Sequence, residues 1–158
     1  MKIFIIFIIT VVTTFASVQQ VIDTNKGSLQ IVLFYTKWCP ACKRSVELLE
    51  NTQKQFITIK VVTVNVDRSN DKKELIKSLP EIFINIEADR EEAKNYGLKN
   101  TIPLILIYDK YGVVIKRFYT TPSKTYFENL IKRFLEGYLE NGTLPIEQRV
   151  DLWKQERK

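Results

Sequence analysis

The chain has 158 residues, 45% of them hydrophobic, with 24 basic and 18 acidic side chains and a formal net charge of +6. That length buries one core but hardly two. The basic residues are scattered among acids, and no run of them interleaves with aromatics, which argues against a nucleic-acid platform and for a solvated mixed-charge surface.

In chain order, Lys2 precedes an uncharged run from Ile3 to Phe15, and Thr14 and Ala16 supply small residues before a cut after Ala16. Residues 1–16 therefore read as a secretory signal. An uncleaved anchor is the rival reading. The charge-free stretch ends at Ile22 and turns polar after Val12, whereas a spanning helix takes about 20 mostly apolar residues. Export would put the cysteines where disulfides persist or are exchanged.

The apolar run Ile31–Tyr35 is a β-branched and aromatic stretch of strand length. Ser45 to Gln55 then carries Val46, Leu48, Leu49 and Gln53 at helical spacing. Between them lies Trp38-Cys39-Pro40-Ala41-Cys42-Lys43, with the only two cysteines. Cys39 falls at the helix start, where unpaired N–H groups and the helix dipole favour a thiolate, the form that attacks disulfides. Pro40 suits the first helical position, and one turn brings Cys42 back beneath Cys39. Two other readings stand beside a redox pair. A zinc site needs four ligands, and with no histidine the rest must be carboxylates or come from another subunit. A structural disulfide closing so short a loop would restrain little unfolded-chain entropy.

Downstream, a β-rich alternation runs from Ile57 to Asp67. Asn70 or Asp71 can cap a helix through Leu79, with Leu75, Ile76 and Leu79 on one face and Pro80 as its stop. A strand follows at Ile82–Ile86, then a helix from Asp89 to Tyr96 ended by Gly97. The chain enters a strand at Pro103, turns at Asp109-Lys110-Tyr111-Gly112 and returns over Val113–Tyr119. Ser123 can cap a long helix bearing Phe127, Leu130, Ile131, Phe134, Leu135 and Tyr138.

The segment Phe34–Lys43 resembles the active-site segment of the thioredoxin superfamily, and Tyr96–Gly112 resembles that family's stretch in which a cis-proline opens a strand and a hairpin follows. The resemblance covers about Leu29 to Leu139. It implies an α/β fold, a three-layer α/β/α sandwich with a central mixed sheet. The additional helix and strand between Asn70 and Ile86 form an insertion before the cis-proline strand. That insertion is similar to the TlpA/ResA-type branch, exported proteins that reduce particular partner disulfides, including those of apocytochromes c.

The resemblance further implies a thiol-disulfide oxidoreductase in which an exposed Cys39 attacks a partner disulfide and Cys42, less exposed, resolves the mixed disulfide. Trp38, Pro40, Ala41, Ile102 and Pro103 would form the substrate-docking surface. Ile102 before the proline matches the reducing members. An oxidase or isomerase, and a non-catalytic binding module, are the competing functions. No cofactor and no metal are implied. The partners implied are disulfide-bearing proteins and an upstream, membrane-bound thiol donor, with the chain itself expected to be a monomer.

Two departures bear on mechanism. Leu33 stands where thioredoxin has a buried aspartate, so proton transfer would fall to water or to a carboxylate such as Glu47 or Glu81. Leu104 follows the proline where relatives carry a polar residue. Lys37, Lys43 and Arg44 stand near Cys39 in sequence, either to stabilise its thiolate or as solvated flank charges. In the tail from Glu140 to Lys158, Pro145 with Ile146, Val150 and Trp153 suggests a short amphipathic helix, and Asn141-Gly142-Thr143 fits a glycosylation acceptor. A bacterial periplasm is the favoured destination and an endoplasmic reticulum lumen the alternative. No retention tetrapeptide ends the sequence.

Overall fold

A computed structural model describes residues 17–67 and 73–137. The expected signal at 1–16, the N-terminal cap of the expected helix near Asn70, Tyr138, and the tail with its expected helix and acceptor tripeptide lie outside the described residues. Nine elements follow in order: α1 (Val18–Thr24), β1 (Gln30–Tyr35), α2 (Pro40–Gln55), β2 (Lys60–Asn65), β3 (Ile84–Glu87), α3 (Arg90–Asn95), β4 (Leu104–Tyr108), β5 (Val114–Phe118) and α4 (Lys124–Leu135).

The sheet runs β3-β2-β1-β4-β5, with β1, β2 and β3 parallel and β4 and β5 antiparallel to their neighbours. A strand at the centre is covered on both faces and so reads as an unbroken apolar run. Every residue of β1 and of β4 is buried. Alternation then sends Ile31, Leu33 and Tyr35 to one layer, with Val46 and Leu49 of α2 and Phe127, Leu130 and Ile131 of α4. Val32 and Phe34 face the other layer, with Val18, Val21 and Ile22 of α1 and Ala93 of α3. The result is the three-layer sandwich with a mixed sheet that the resemblance implies.

Helix α1 was no part of the sequence reading, which assigned residues up to Ile22 to the charge-free run. Its start is a capping box: Ser17 Oγ accepts from Gln20 N–H, and Gln20 Oε1 accepts from Ser17 N–H. Val18, Val21 and Ile22 then fall at i, i+3 and i+4 on the buried face.

The helical part of the insertion differs from expectation. Residues 73–79 form no helix. The backbone N–H groups of Leu75 and Ile76 both donate to the Lys37 carbonyl, each at 2.9 Å, and so are unavailable to a helical ladder. Ile76 is buried in the same layer as the cysteines, while Leu75 is exposed. A tertiary anchor thus outweighs the local helical pattern.

The strand of the insertion does form, but as Ile84–Glu87, because Phe83 N–H closes a turn onto the Pro80 carbonyl first. It pairs with β2 through Val62 and Ile84 and forms the sheet edge. Likewise β2 begins at Lys60 rather than Ile57, since α2 persists to Gln55 and residues 56–59 make the reversal, leaving Ile57 exposed.

Candidate active site

The site is built where β1 hands over to α2. After Tyr35 the chain turns, and Cys39 N–H donates to the Thr36 carbonyl at 3.3 Å. Cys39 occupies the N-cap of α2 with extended backbone, and Pro40 takes the first helical position, where its missing N–H costs nothing. Cys42 N–H donates to Cys39 Sγ at 3.1 Å. An N–H aimed at sulfur from a helix start stabilises negative charge there.

Both cysteines are free thiols. Cys39 retains 5% of its surface against 0% for Cys42. The sequence led us to expect Cys39 exposed, and it is nearly covered instead. The cause is local packing: Trp38, Ala41 and Ile102 all lie against the cluster that holds both sulfurs. The order of access is still the expected one, with Cys39 the outer thiol. Burial, first, and the contact with Cys39, second, push the Cys42 thiol well above its ordinary 9.0. It is therefore a neutral thiol at physiological pH. Tyr35, in the same layer, is pushed up to about 12 by burial and then by the Glu87 and Asp67 carboxylates.

The remaining expected site residues gather around this turn. Pro40 is exposed, Ala41 and Trp38 are half-buried, and Pro103 is buried. The Ile102–Pro103 peptide is cis. Pro103 leads directly into β4, whose Leu104 is paired with Phe34 of β1, so the proline and the Cys39 turn share one end of the sheet. Lys37 directs its ammonium to Glu74 at 3.3 Å, and Lys43 and Arg44 are exposed. Leu33 is completely buried beside the cysteine layer. The two carboxylates considered for proton transfer, Glu47 and Glu81, are both exposed, whereas Cys42 is not.

One site residue escaped the sequence reading. Asp67 lies two residues beyond β2 and grips the loop ahead of Cys39: one carboxylate oxygen accepts the Trp38 indole N–H at 2.9 Å, and the other accepts the Lys37 N–H at 3.1 Å. The parallel register explains why. Tyr35 pairs with Asn65, which sets position 67 beside position 37. Only the register, absent from a bare sequence, carries that signal.

Among the described residues no group of three or more His, Cys, Asp or Glu side chains is placed to hold a metal ion. No helix among them is long and apolar enough to cross a membrane. A groove beside the site runs between α2 and the insertion, lined by Lys43, Val46, Glu47, Leu75, Leu79 and Pro80.

A family model for the thioredoxin-like domain matches residues 16–135. The chain belongs to the thioredoxin-like family. Over 74 residues it is 32% identical to Thioredoxin 1 of Plasmodium falciparum, covering 46% of this chain and 69% of that one. Over 62 residues it is 32% identical to Thioredoxin 2 of Plasmodium berghei, covering 37% of this chain and 40% of that relative's length. Among solved structures, a thiol:disulfide interchange protein of the thioredoxin family from Chlorobium tepidum superposes with a TM-score of 0.58 at 24% identity, over 70% of this chain and 81% of that one. The likeness to that structure establishes the fold.

Proposed function

We propose that this chain is a thiol-disulfide oxidoreductase that reduces disulfides in exported partner proteins through a Cys39–Cys42 dithiol/disulfide couple. The observation that carries the reading is the contact of Cys42 N–H with Cys39 Sγ at the start of α2. It joins the two sulfur-bearing residues in one helical turn, with the outer sulfur supported as an anion and the inner one held neutral.

The chemistry follows from that asymmetry. The Cys39 thiolate attacks one sulfur of a partner disulfide lying against Trp38, Pro40, Ala41, Ile102 and Pro103. A Cys39–partner disulfide forms, and the partner's other sulfur leaves as a thiolate that takes up a proton. Cys42 then loses its proton and attacks Cys39 Sγ, which forms the Cys39–Cys42 disulfide and releases the reduced partner with two electrons gained. Because the Cys42 thiol is raised by burial, this resolving step is the one that needs a base. Water entering with the partner suits that role better than Glu47 or Glu81, which are exposed while Cys42 is completely buried. An upstream thiol donor, membrane-bound in the reading favoured here, resets the couple.

The secretory pattern at residues 1–16 supports an exported location, with the periplasm the favoured compartment. The insertion between β2 and α3 resembles the branch that acts on apocytochromes c, so a peptide carrying an apocytochrome cysteine pair is the first partner to test. The deciding experiment is equilibration of the protein with glutathione redox buffers, together with turnover of a disulfide peptide. A couple more reducing than glutathione, with catalysed peptide reduction, is expected. A strongly oxidising couple would transfer the assignment to an oxidase or isomerase, and a cellular phenotype untouched by replacing both cysteines would leave only a binding module.

A further inference from the structure

The peptide unit between Ala41 and Cys42 is hydrogen-bonded at both ends. Its N–H donates to Cys39 Sγ at 3.1 Å. Its carbonyl meets two hydroxyls, Thr121 Oγ1 at 3.0 Å and Ser45 Oγ at 3.2 Å. Ser45 is completely buried one turn further along α2. Thr121 arrives from the loop between β5 and α4, 80 residues away in sequence. The two hydroxyl oxygens are themselves 2.7 Å apart.

Proton counting orders these three contacts. Two hydroxyls carry two protons. Oxygens at 2.7 Å are at ordinary O–H···O distance, which places one proton between them. The other proton is then directed to the Ala41 carbonyl. Whichever hydroxyl comes last, it accepts from its neighbour while donating to the carbonyl. A continuous chain results, from hydroxyl to hydroxyl to carbonyl, and through the amide from N–H to sulfur. Hydrogen bonds in series polarise one another, most effectively where water is excluded. A carbonyl drawn on more strongly leaves its own N–H a better donor.

We propose that Ser45 and Thr121 are positioning residues that act through the Ala41–Cys42 peptide to strengthen the N–H received by the Cys39 sulfur, and so raise the reactivity of Cys39. The inference rests on the thiolate role of Cys39 proposed above. The effect is selective for the ionised sulfur, because a thiolate accepts a hydrogen bond far better than a thiol does. It also couples the β5–α4 loop to the nucleophile without any direct contact between them.

The test is the alkylation rate of Cys39 by iodoacetamide as a function of pH, with the modified cysteine located by peptide mass. Thr121→Val removes the hydroxyl at nearly constant shape, Ser45→Ala removes the other, and Thr121→Ser restores one. A contribution of some tens of per cent to one charge-assisted bond predicts roughly a twofold slower reaction at neutral pH for Thr121→Val. Its pH profile should move to higher pH with the same plateau rate, and Thr121→Ser should match the unmodified protein. Thr121→Val reacting at the unmodified rate with an unshifted profile overturns the inference. So does an equal slowing by Thr121→Val and Thr121→Ser, which would assign the effect to loop packing. If Thr121→Val does not fold, Ser45→Ala takes its place: a slower reaction with the profile moved to higher pH is expected, and the unmodified rate with an unshifted profile overturns the inference. Because alkylation needs no partner, a Cys39 that behaves as stated in a protein that reduces no disulfide would refute the proposed function and leave this relay standing.

Discussion

The Trp38 indole N–H and the Asp67 carboxylate are joined at 2.9 Å across 29 residues of sequence. The second carboxylate oxygen holds the Lys37 N–H at 3.1 Å, so a single side chain fixes both the aromatic ring beside Cys39 and the backbone leading to it.

Asp67→Ala removes the two acceptors that hold the Trp38 indole N–H and the Lys37 N–H. A loss of about 1–3 kcal/mol of stability is expected, read as a shift of the denaturant midpoint. Loss of this anchor on Trp38 should weaken partner docking, raising KM for a disulfide peptide roughly fivefold, or about 1 kcal/mol, with kcat little changed. Asp67→Asn keeps one acceptor and should fall between. A KM unaffected by either change would remove Trp38 from the docking surface.

The two cysteines should fail differently. Cys39→Ser is expected to abolish disulfide reduction, because the outer nucleophile is gone. Cys42→Ser leaves the attack and removes the resolution, so partners should accumulate on Cys39 as mixed disulfides released by dithiothreitol. Non-reducing gels and intact mass read this directly. Absence of any covalent partner in the Cys42→Ser protein would contradict the mechanism.

Alkaline stability should depend on redox state. Cys42 and Tyr35 both have folded values raised above their ordinary 9.0 and 10.0. For a raised group the stabilisation is complete below the unfolded value and is lost as pH rises toward the folded one. The melting temperature of the dithiol protein should therefore hold up to about pH 9 and fall beyond it. In the disulfide form Cys42 no longer titrates, and the decline should start nearer pH 10, where Tyr35, Tyr96 and Tyr108, all raised chiefly by burial, contribute. Melting curves of both forms from pH 7 to 11 provide the check, and coincident curves would rule out the Cys42 contribution.

The insertion offers a packing test. Ile76 is 5% exposed in the cysteine layer, whereas its neighbour Leu75 is 40% exposed. Ile76→Ala should cost about 2–4 kcal/mol by emptying a buried site, and Leu75→Ala about 1 kcal/mol or less. Equal midpoints for the two variants would show that the segment does not pack as described.

Much of this architecture was legible because local and tertiary preferences agree. Ile31–Tyr35, the Pro40 start of α2 and the Asp89 start of α3 each stand where pattern and chemistry point the same way, whereas Ser123 takes the N-cap position of α4 without a side-chain hydrogen bond to the first turn. The cysteine turn was readable for the same reason, since its residues are neighbours in sequence. Misreadings came where a distant contact decides. Leu75, Ile76 and Leu79 have helical spacing, but the Lys37 carbonyl takes the N–H groups that a helix would use. Asp67 looked like the end of a strand until the β1–β2 register set it beside Lys37. Thr121 and Ser45 are ordinary polar residues until α2 and the β5–α4 loop are seen together. The burial of Cys39 likewise depends on tertiary packing, with Trp38 and Ile102 both set against the cluster that holds it.

Lys37 is held from both flanks, its amide by Asp67 and its carbonyl by Leu75 and Ile76. The inserted segment is consequently no detachable module that could be trimmed back to a minimal scaffold. A proteolytic nick or a shortened graft between 73 and 79 would unseat the loop that presents the reactive sulfur while the five-stranded sheet stood intact. Sequence drift along that stretch would bear on reactivity and, at Ile76, on stability together.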